Sequence, residues 1–303
     1  MPSPHATTPN PLSAHARNVT SSDGEDGIIE HIFSVIGTGS TWCVELGALN
    51  GTHDSNTRKL IVQDGWSAVL IEGDPTYFDV LRGVYADTGQ VVCINEFVSF
   101  EGAQSLDRVF SRTPLPQDFD LFVLDIDGND YHVWDSLKEY RPRVVCVEFN
   151  PTIPNSISFI QSRNISVQQG SSLRALAELA AQKGYRLIAT TQTNAFFVLA
   201  NLADSFNLGS DSLDFLHPDT TFHTRLFQLY DGTLVLEGYQ SLLWHKQPIT
   251  AQAIQVLPRW KRRFPAGISP SGLVRMIRYR MRHFPLYRVL SALKKRLFAE
   301  THI

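Results

Sequence analysis

The stretch Trp42-Cys43-Val44-Glu45-Leu46-Gly47-Ala48-Leu49-Asn50-Gly51 constrains this chain more than any other. Its first half is apolar apart from Glu45 and predicts a buried strand. Gly47 and Gly51 then bracket a loop of the form E-x-G-A-x-x-G. Glycine tolerates positive φ and lets a backbone come close to a ligand. The polar segment 54–63 predicts a helix capped by Asp54 or Ser55. Strand, glycine turn and helix in that order form a binding unit at the carboxyl end of a parallel strand. A second apolar run, 67–71, reads as another buried strand and ends at Glu72-Gly73-Asp74. A carboxylate about 20 residues beyond a glycine loop is where such folds hold a ribose diol.

The rest of the chain repeats the alternation. Residues 1–20 are rich in Pro, Ser, Thr, Asn and His and predict a disordered arm. A helix starts near Ser22-Asp23-Gly24-Glu25, with Ile28, Ile29, Ile32, Phe33 and Ile36 at helical spacing and Gly37 and Gly39 as stops. Pro75 opens a helix that runs to about Asp87. Residues 91–95, 119–125 and 143–149 read as the third, fourth and fifth strands, and 103–112, 130–140 and 172–183 as helices. Segments 186–190 and 195–200 are two more strands, close enough that one runs antiparallel at the edge. Strands alternating with helices of ten or so residues mean a parallel α/β sheet. The predicted fold is therefore a Rossmann-like doubly wound α/β sheet over 21–200, mostly parallel with an antiparallel edge strand. Residues 201–257 are an accessory segment packed on it, with a hairpin at 229–234. Residues 258–303 are a basic helical tail. The proline- and serine-rich stretch 151–170 has no period, and an insert of this length after a sheet strand is a candidate functional loop.

Charge divides the chain. The net charge of −3 combines +11 from Pro258 onward with −14 before it. Within the tail, 273–283 and 287–298 pair apolar stripes with Arg and Lys, the pattern of helices that meet an anionic membrane surface or a polyanion. Docking on the body's own acidic surface is the structural alternative. No specific nucleic acid partner is expected, and the oligomeric state is left open. Cys43, Cys93 and Cys146 all fall in predicted strands. An odd number of buried cysteines argues for reduced core thiols. No apolar run approaches the ~20 residues of a membrane span, and the first residues lack the blocks of a secretory signal. A cytoplasmic protein, peripheral to a membrane if the tail binds one, is the expectation.

The glycine loop is not the dinucleotide form G-x-G-x-x-G, and an acid precedes it. A carboxylate at a strand tip repels a pyrophosphate and attracts a cation. This points away from NAD and toward S-adenosylmethionine, which carries an ammonium and a sulfonium. The fourth strand ends in Asp125-Ile126-Asp127-Gly128-Asn129-Asp130 and the fifth in Glu148-Phe149-Asn150. Asp125 and Asp127 share a strand face by alternation, as do Glu148 and Asn150. If the strands are neighbours, Asp127, Glu148 and Asn150 form a hard oxygen set that suits Mg²⁺ or another divalent ion. The structural alternative has Asp127 and Asp130 capping the next helix and Glu148 paired with Arg141 or Arg143. His132, one turn into that helix beside Tyr131, is a candidate general base. A purely structural role is its alternative.

On these residues the chain resembles the class I S-adenosylmethionine-dependent methyltransferases, and within them the FkbM-type group. The similarity runs over about 22–199. It includes Asp23-Gly24-Glu25-Asp26-Gly27-Ile28, Gly65-Trp66, the Asp125–Tyr131 segment and Glu148-Phe149-Asn150-Pro151, which look like an uncharacterised bacterial branch. The resemblance implies that Glu45, Gly47, Asn50 and Gly51 surround the methionine part of the cofactor. It implies that Glu72 holds the ribose, Asn95 lies near the adenine, and Asp125 faces the methionine end or the reaction centre. Asp127 and Asn129-Asp130 depart from the Val-Glu-Gly-Ala-Glu-like segment of the group, which leaves the substrate and the catalytic residues open. The expected activity is O-methylation of a small metabolite or sugar, with Asp125, Asp127 and His132 as catalytic candidates and a divalent ion as a candidate aid. Two rivals stand beside it. One is cyclisation or elimination within S-adenosylmethionine, and the other is a non-catalytic membrane- or polyanion-binding protein.

Overall fold

The apolar runs that predict buried strands pair as a single sheet. The structure, a computed structural model, describes residues 10–243 and 246–262 together with 274, 275 and 277. Strand β1 (Trp42–Leu46) lies between β2 (Ser67–Glu72) and β4 (Leu121–Leu124), parallel to both. β3 (Val91–Asn95) extends the sheet beyond β2, and β5 (Val144–Glu148) beyond β4. Two further strands, β6 (Tyr185–Thr190) and β7 (Asn194–Leu199), give the order β3-β2-β1-β4-β5-β7-β6. The fold is thus Rossmann-like and mostly parallel. The central strands are buried end to end, as both faces of a parallel sheet require. The last two strands are joined by three residues, 191–193. A connection so short permits only an antiparallel pair. β7 is the reversed strand, and it fills the slot between β5 and the outermost β6.

The helices are cut to length by side chains that capture backbone donors. α1 (Glu25–Ile36) ends at Gly37, as its sequence predicts. α2 (Arg58–Val62) begins four residues later than expected, because Glu45 holds 55–57 in a bend. α3 (Pro75–Val84) is capped by Asp74, whose carboxylate accepts from the Thr76 and Tyr77 amides. The helix expected over 103–112 is a 3₁₀ turn, an extended Ser105 and then α4 (Leu106–Phe110). α5 (Asp130–Ser136) stops short of Tyr140, since Asp107 accepts from the Lys138 and Glu139 amides at 3.0 Å each. α6 (Leu173–Gln182) is capped by Ser172 and crosses from β5 to β6.

Residues 10–20 are ordered, contrary to the expectation of an arm. Leu12 is 1% exposed within the core, and Asn10 Nδ2 donates to the Ile188 carbonyl of β6 at 2.9 Å. Asp26 accepts from the Val19, Thr20 and Ser21 amides. At Gly27 a Cβ would lie 2.1 Å from the His15 carbonyl oxygen, so only glycine lets α1 pass the segment. Polar composition hid one apolar anchor and a set of backbone bonds. Residues 1–9 of the expected arm lie outside the described residues.

By contact the chain separates into two compact units, one of Met1–His223 with Leu243–Lys246 and one of Thr224–Leu242 with Gln247–Ile303. The helices Ala200–Ala203 and Leu213–Leu216 belong to the first. The second contains the expected hairpin, Thr224–Gln228 against Leu234–Gly238. The tail helices expected over 273–283 and 287–298, and the surface contact expected of them, fall almost wholly outside the described residues. Among the described residues no helix is long and apolar enough to cross a membrane.

Leu12→Ala should lower stability by about 2–5 kcal/mol, the cost of an apolar cavity. Urea denaturation measures it. An unchanged midpoint would return this segment to the status of a loose arm.

Candidate active site

The carboxyl ends of β1, β2, β3 and β4 border a cleft of about 590 Å³. It lies where the strand order departs from β1 in both directions, the switch point at which open α/β sheets bind ligands. Gly47 sets this geometry. Its φ is +87°, and a Cβ there would sit 1.9 Å from the Asp125 carbonyl oxygen. The loop after β1 therefore crosses the end of β4 backbone against backbone. The Gly47 and Ala48 amides donate to the Ile71 carbonyl at 3.0 and 3.1 Å, and the Asp125 amide donates to the Leu46 carbonyl at 3.1 Å. Three strand ends are tied at one point.

Glu45 and Glu72 line the cleft and also build it. The Glu45 carboxylate accepts from Ser55 Oγ at 2.7 Å, the Asn56 amide at 2.7 Å and Thr57 Oγ1 at 2.6 Å. Burial raises its pKa against the opposing pull of these donors. Glu72 is 7% exposed, with one oxygen accepting from the Leu49 amide at 2.8 Å and the other from the Asp74 amide at 2.7 Å. Each oxygen keeps a further lone pair for a ligand hydroxyl.

Asn50 and Gly51 shape the loop without lining the cleft. Asn50 Oδ1 accepts from the Thr52 amide and hydroxyl and from the His53 amide. The Gly51 carbonyl accepts from Tyr85 Oη at 3.1 Å and Arg58 Nη1 at 3.2 Å. Asn95 does not line it either, since its Nδ2 donates to the carbonyls of Glu72 and Gly73 at 2.8 and 3.1 Å. The residues just past it do. Glu96 pairs with Arg112, and the Phe97 ring packs over Gly73. Tyr77 adds a second half-exposed ring. The sequence signal was the strand end, which points one or two residues beyond Asn95.

The loop after β4 differs from its predicted form. Asp127, Gly128 and Asn129 all have positive φ, at +57°, +129° and +63°. Strand alternation stops at Leu124, so Asp125 and Asp127 meet the cleft through a turn, not through a shared strand face. Asp130 braces that turn, accepting from the Ile126 amide at 3.1 Å and the Gly128 amide at 3.0 Å. Burial, then the charge of Asp125, pushes the Asp130 carboxyl well above its ordinary range. Asp125 is pushed up to about 7, by burial first and then by the charges of Asp127, Glu45 and Glu25, against a hydrogen bond with Asn194.

His132 is not in the cleft. Its Nε2 donates to the Gln161 carbonyl at 2.8 Å, and its ring meets Phe100 and Tyr131 edge-on. It joins α5 to the 151–170 loop, so the catalytic expectation for it is corrected to a structural role. The expected metal centre does not assemble. Asn150 Oδ1 accepts from the Thr152 amide at 2.9 Å and hydroxyl at 2.6 Å, and its Nδ2 donates to the Gln169 carbonyl at 2.7 Å. Glu148 stands opposite Asn194 of β7 and does not line the cleft, whereas Asp127 does. Among the described residues no three His, Cys, Asp or Glu side chains come together to hold an ion. Arg143, the suggested partner of Glu148, pairs with Asp120 at 2.7 Å.

The 151–170 loop reaches the site through Ile165 and Gln168, which line the cleft. Gln161, 1% exposed, holds it in shape. Its Oε1 accepts from the Gln169 and Gly170 amides and its Nε2 donates to the Val167 carbonyl. No periodicity marked these residues in the sequence.

No family model matches the chain, and no curated protein sequence matches it. Solved structures do. The N-terminal domain of EvdMO1 with SAH (S-adenosylhomocysteine) bound is 14% identical over 59% of this chain and 80% of that one, with a TM-score of 0.38. An O-methyltransferase from Bacillus cereus in complex with SAH is 17% identical over 62% and 86%, with a TM-score of 0.40. At these scores the likeness decides nothing about ligand or reaction.

Two variants probe the site's energetics. Gly47→Ala should destabilise by at least about 2 kcal/mol, from strain at positive φ and the clash with Asp125. Asp125 has a folded pKa near 7 against about 3.9 unfolded, so the folded state binds the extra proton between those values. Its contribution to stability is therefore lost as pH rises from about 4 to 7. Asp125→Asn should raise the Tm at pH 8, by about 2–4 °C per kcal/mol relieved, and the gain should fade toward pH 4. Calorimetry at the two pH values checks this, and a gain that grows toward pH 4 would contradict it.

Proposed function

We propose that the cleft binds S-adenosylmethionine and that the protein is a methyltransferase acting on a hydroxyl of a small metabolite or sugar. The observation that carries this reading is Glu72. Two backbone amides hold its carboxylate at the end of β2, beside the glycine loop, which supplies one of them through Leu49, with lone pairs left for a ribose diol. The rest of the lining fits the same ligand. Phe97 and Tyr77 offer apolar faces to a base, and Glu45 at the end of β1 suits the positive methionine end. The motif resemblance to FkbM-type proteins supports the same reading.

When bound, S-adenosylmethionine supplies a methyl group whose bond to sulfur breaks onto sulfur as the acceptor oxygen forms the new bond and gives up its proton. The chain's own work is orientation and proton removal. Gly47 and Glu72 position the cofactor's two ends. Asp125, poised near neutrality, takes the proton of the hydroxyl. Ile165 and Gln168 close the acceptor side and restrict water. No step passes through a metal, since Asn150 and Glu148 do not join Asp127.

Glu72→Ala should weaken S-adenosylmethionine binding by about 2–4 kcal/mol, because hydrogen bonds to a charged group are worth about 1.5–3 each and are not additive. Isothermal titration measures it, and unchanged affinity in a folded variant would remove Glu72 from the site. The rate should also follow Asp125. kcat/KM should fall as pH drops through about 7. A product assay yielding methylthioadenosine in place of S-adenosylhomocysteine would favour cyclisation or elimination instead.

A further inference from the structure

The cleft carries charge of one sign. Among the described residues seven acidic side chains line it, and no Lys, Arg or His does. Six of the seven already have partners. Glu45, Glu72 and Asp74 are held by backbone amides or hydroxyls, Glu96 pairs with Arg112, and Asp54 pairs with His53. Asp125 has a hydrogen bond with the neutral Asn194 but no counter-charge, and Asp127 remains. The charges acting on Asp125 are those of Asp127, Glu45 and Glu25, all negative. Asp127 is exposed at its tip of the turn. Beside them Asn129, 6% exposed and lining the same wall, has a buried Oδ1 with no hydrogen-bond donor. When ionised, the two carboxylates are acceptors only, as is the orphaned amide oxygen. They form a wall that rejects anions and asks for a donor.

S-adenosylmethionine does not exhaust this wall. Its ammonium and sulfonium are only half offset by its own carboxylate, but the one net positive charge left meets the acids at the ends of β1 and β2 first. An acceptor bearing a phosphate or carboxylate would bring like charge against these acids with no Lys, Arg or His in the described lining to offset it, which is unfavourable. Resting on the methyl-transfer reading, we propose that the acceptor is itself a cation, a hydroxylated amine such as an amino alcohol or amino sugar, whose ammonium is held by Asp127. The Asp125 carboxylate is then left to the reacting hydroxyl.

The test uses the full chain with methyl-labelled S-adenosylmethionine and a small-metabolite extract split at pH 7 on cation- and anion-exchange resins. Label should pass only to compounds retained by the cation exchanger. With the purified compound, Asp127→Asn should raise KM about tenfold, the loss of a hydrogen bond to a charged group. S-adenosylmethionine affinity should stay within about twofold, as for a change that removes no contact to it. Asparagine accepts the positive φ of this position, so the variant keeps the turn. Label in the unretained or anion-retained fractions, or in none, overturns the proposal, as does an Asp127→Asn variant with unchanged KM. Failure of S-adenosylmethionine to bind the wild-type protein would instead overturn the functional reading beneath it.

Discussion

The contact between Gly47 and the Asp125 carbonyl is the constraint on which the site depends. Two strands that are neighbours in the sheet send their loops across each other at a distance that leaves no room for a methyl group. That approach brings the tip of β4 against the tip of β1 and places Asp125 among the acids of both. The crowding is unfavourable in the empty protein. It is relieved by a positive ligand, so binding and stability are linked: a cation that fills the cleft also removes a repulsion built into the fold.

Irregular backbone around the cleft is held by buried acceptors. Glu45 gathers three donors from 55–57, Asp130 spans its own turn, and Gln161 closes the loop that follows β5. At the opposite end of the sheet Asp120 accepts from the Gly39 and Thr41 amides and pairs with Arg143. Each of these side chains satisfies backbone groups that no helix or strand could take up. This makes an acid in this protein ambiguous. The same carboxylate can be a wall of the site and a strut of the loop behind it, and Glu72 is both.

That ambiguity sets what could be read from the sequence. The strands were legible because burial on both faces leaves long apolar runs, and β3 was located to the residue. The short 191–193 turn announced an antiparallel pair, though only hydrogen-bond register shows that β7 sits inside β6. Glu45, Gly47, Glu72, Asp125 and Asp127 were all marked as site residues and all line the cleft. Asn50, Asn95, His132, Glu148 and Asn150 were marked for their chemistry and spacing, but Asn50, Asn95, His132 and Asn150 are committed to backbone partners and Glu148 lies away from the cleft. Spacing cannot reveal such commitments, since they depend on which loop comes to rest beside the side chain. Phe97, Gln161 and Gln168 were missed because a loop carries no period. Leu12 was missed because one apolar residue among prolines and serines gives no pattern.

The slot occupied by β7 has a consequence for how the chain comes to be built. β6 touches no other strand of the sheet than β7, and β5 is completed on that side only by β7. A chain emerging in order therefore carries an open apolar edge on β5 until residue 199 has been made. The segment that begins at Asn10 waits as well, because Asn10 closes on the Ile188 carbonyl, 178 positions away. Pairing over such separations is slow, and an unpaired strand edge invites other chains. The ribosome thus releases a sheet whose start and finish lock together last, with its most exposed moment just before its final strand arrives.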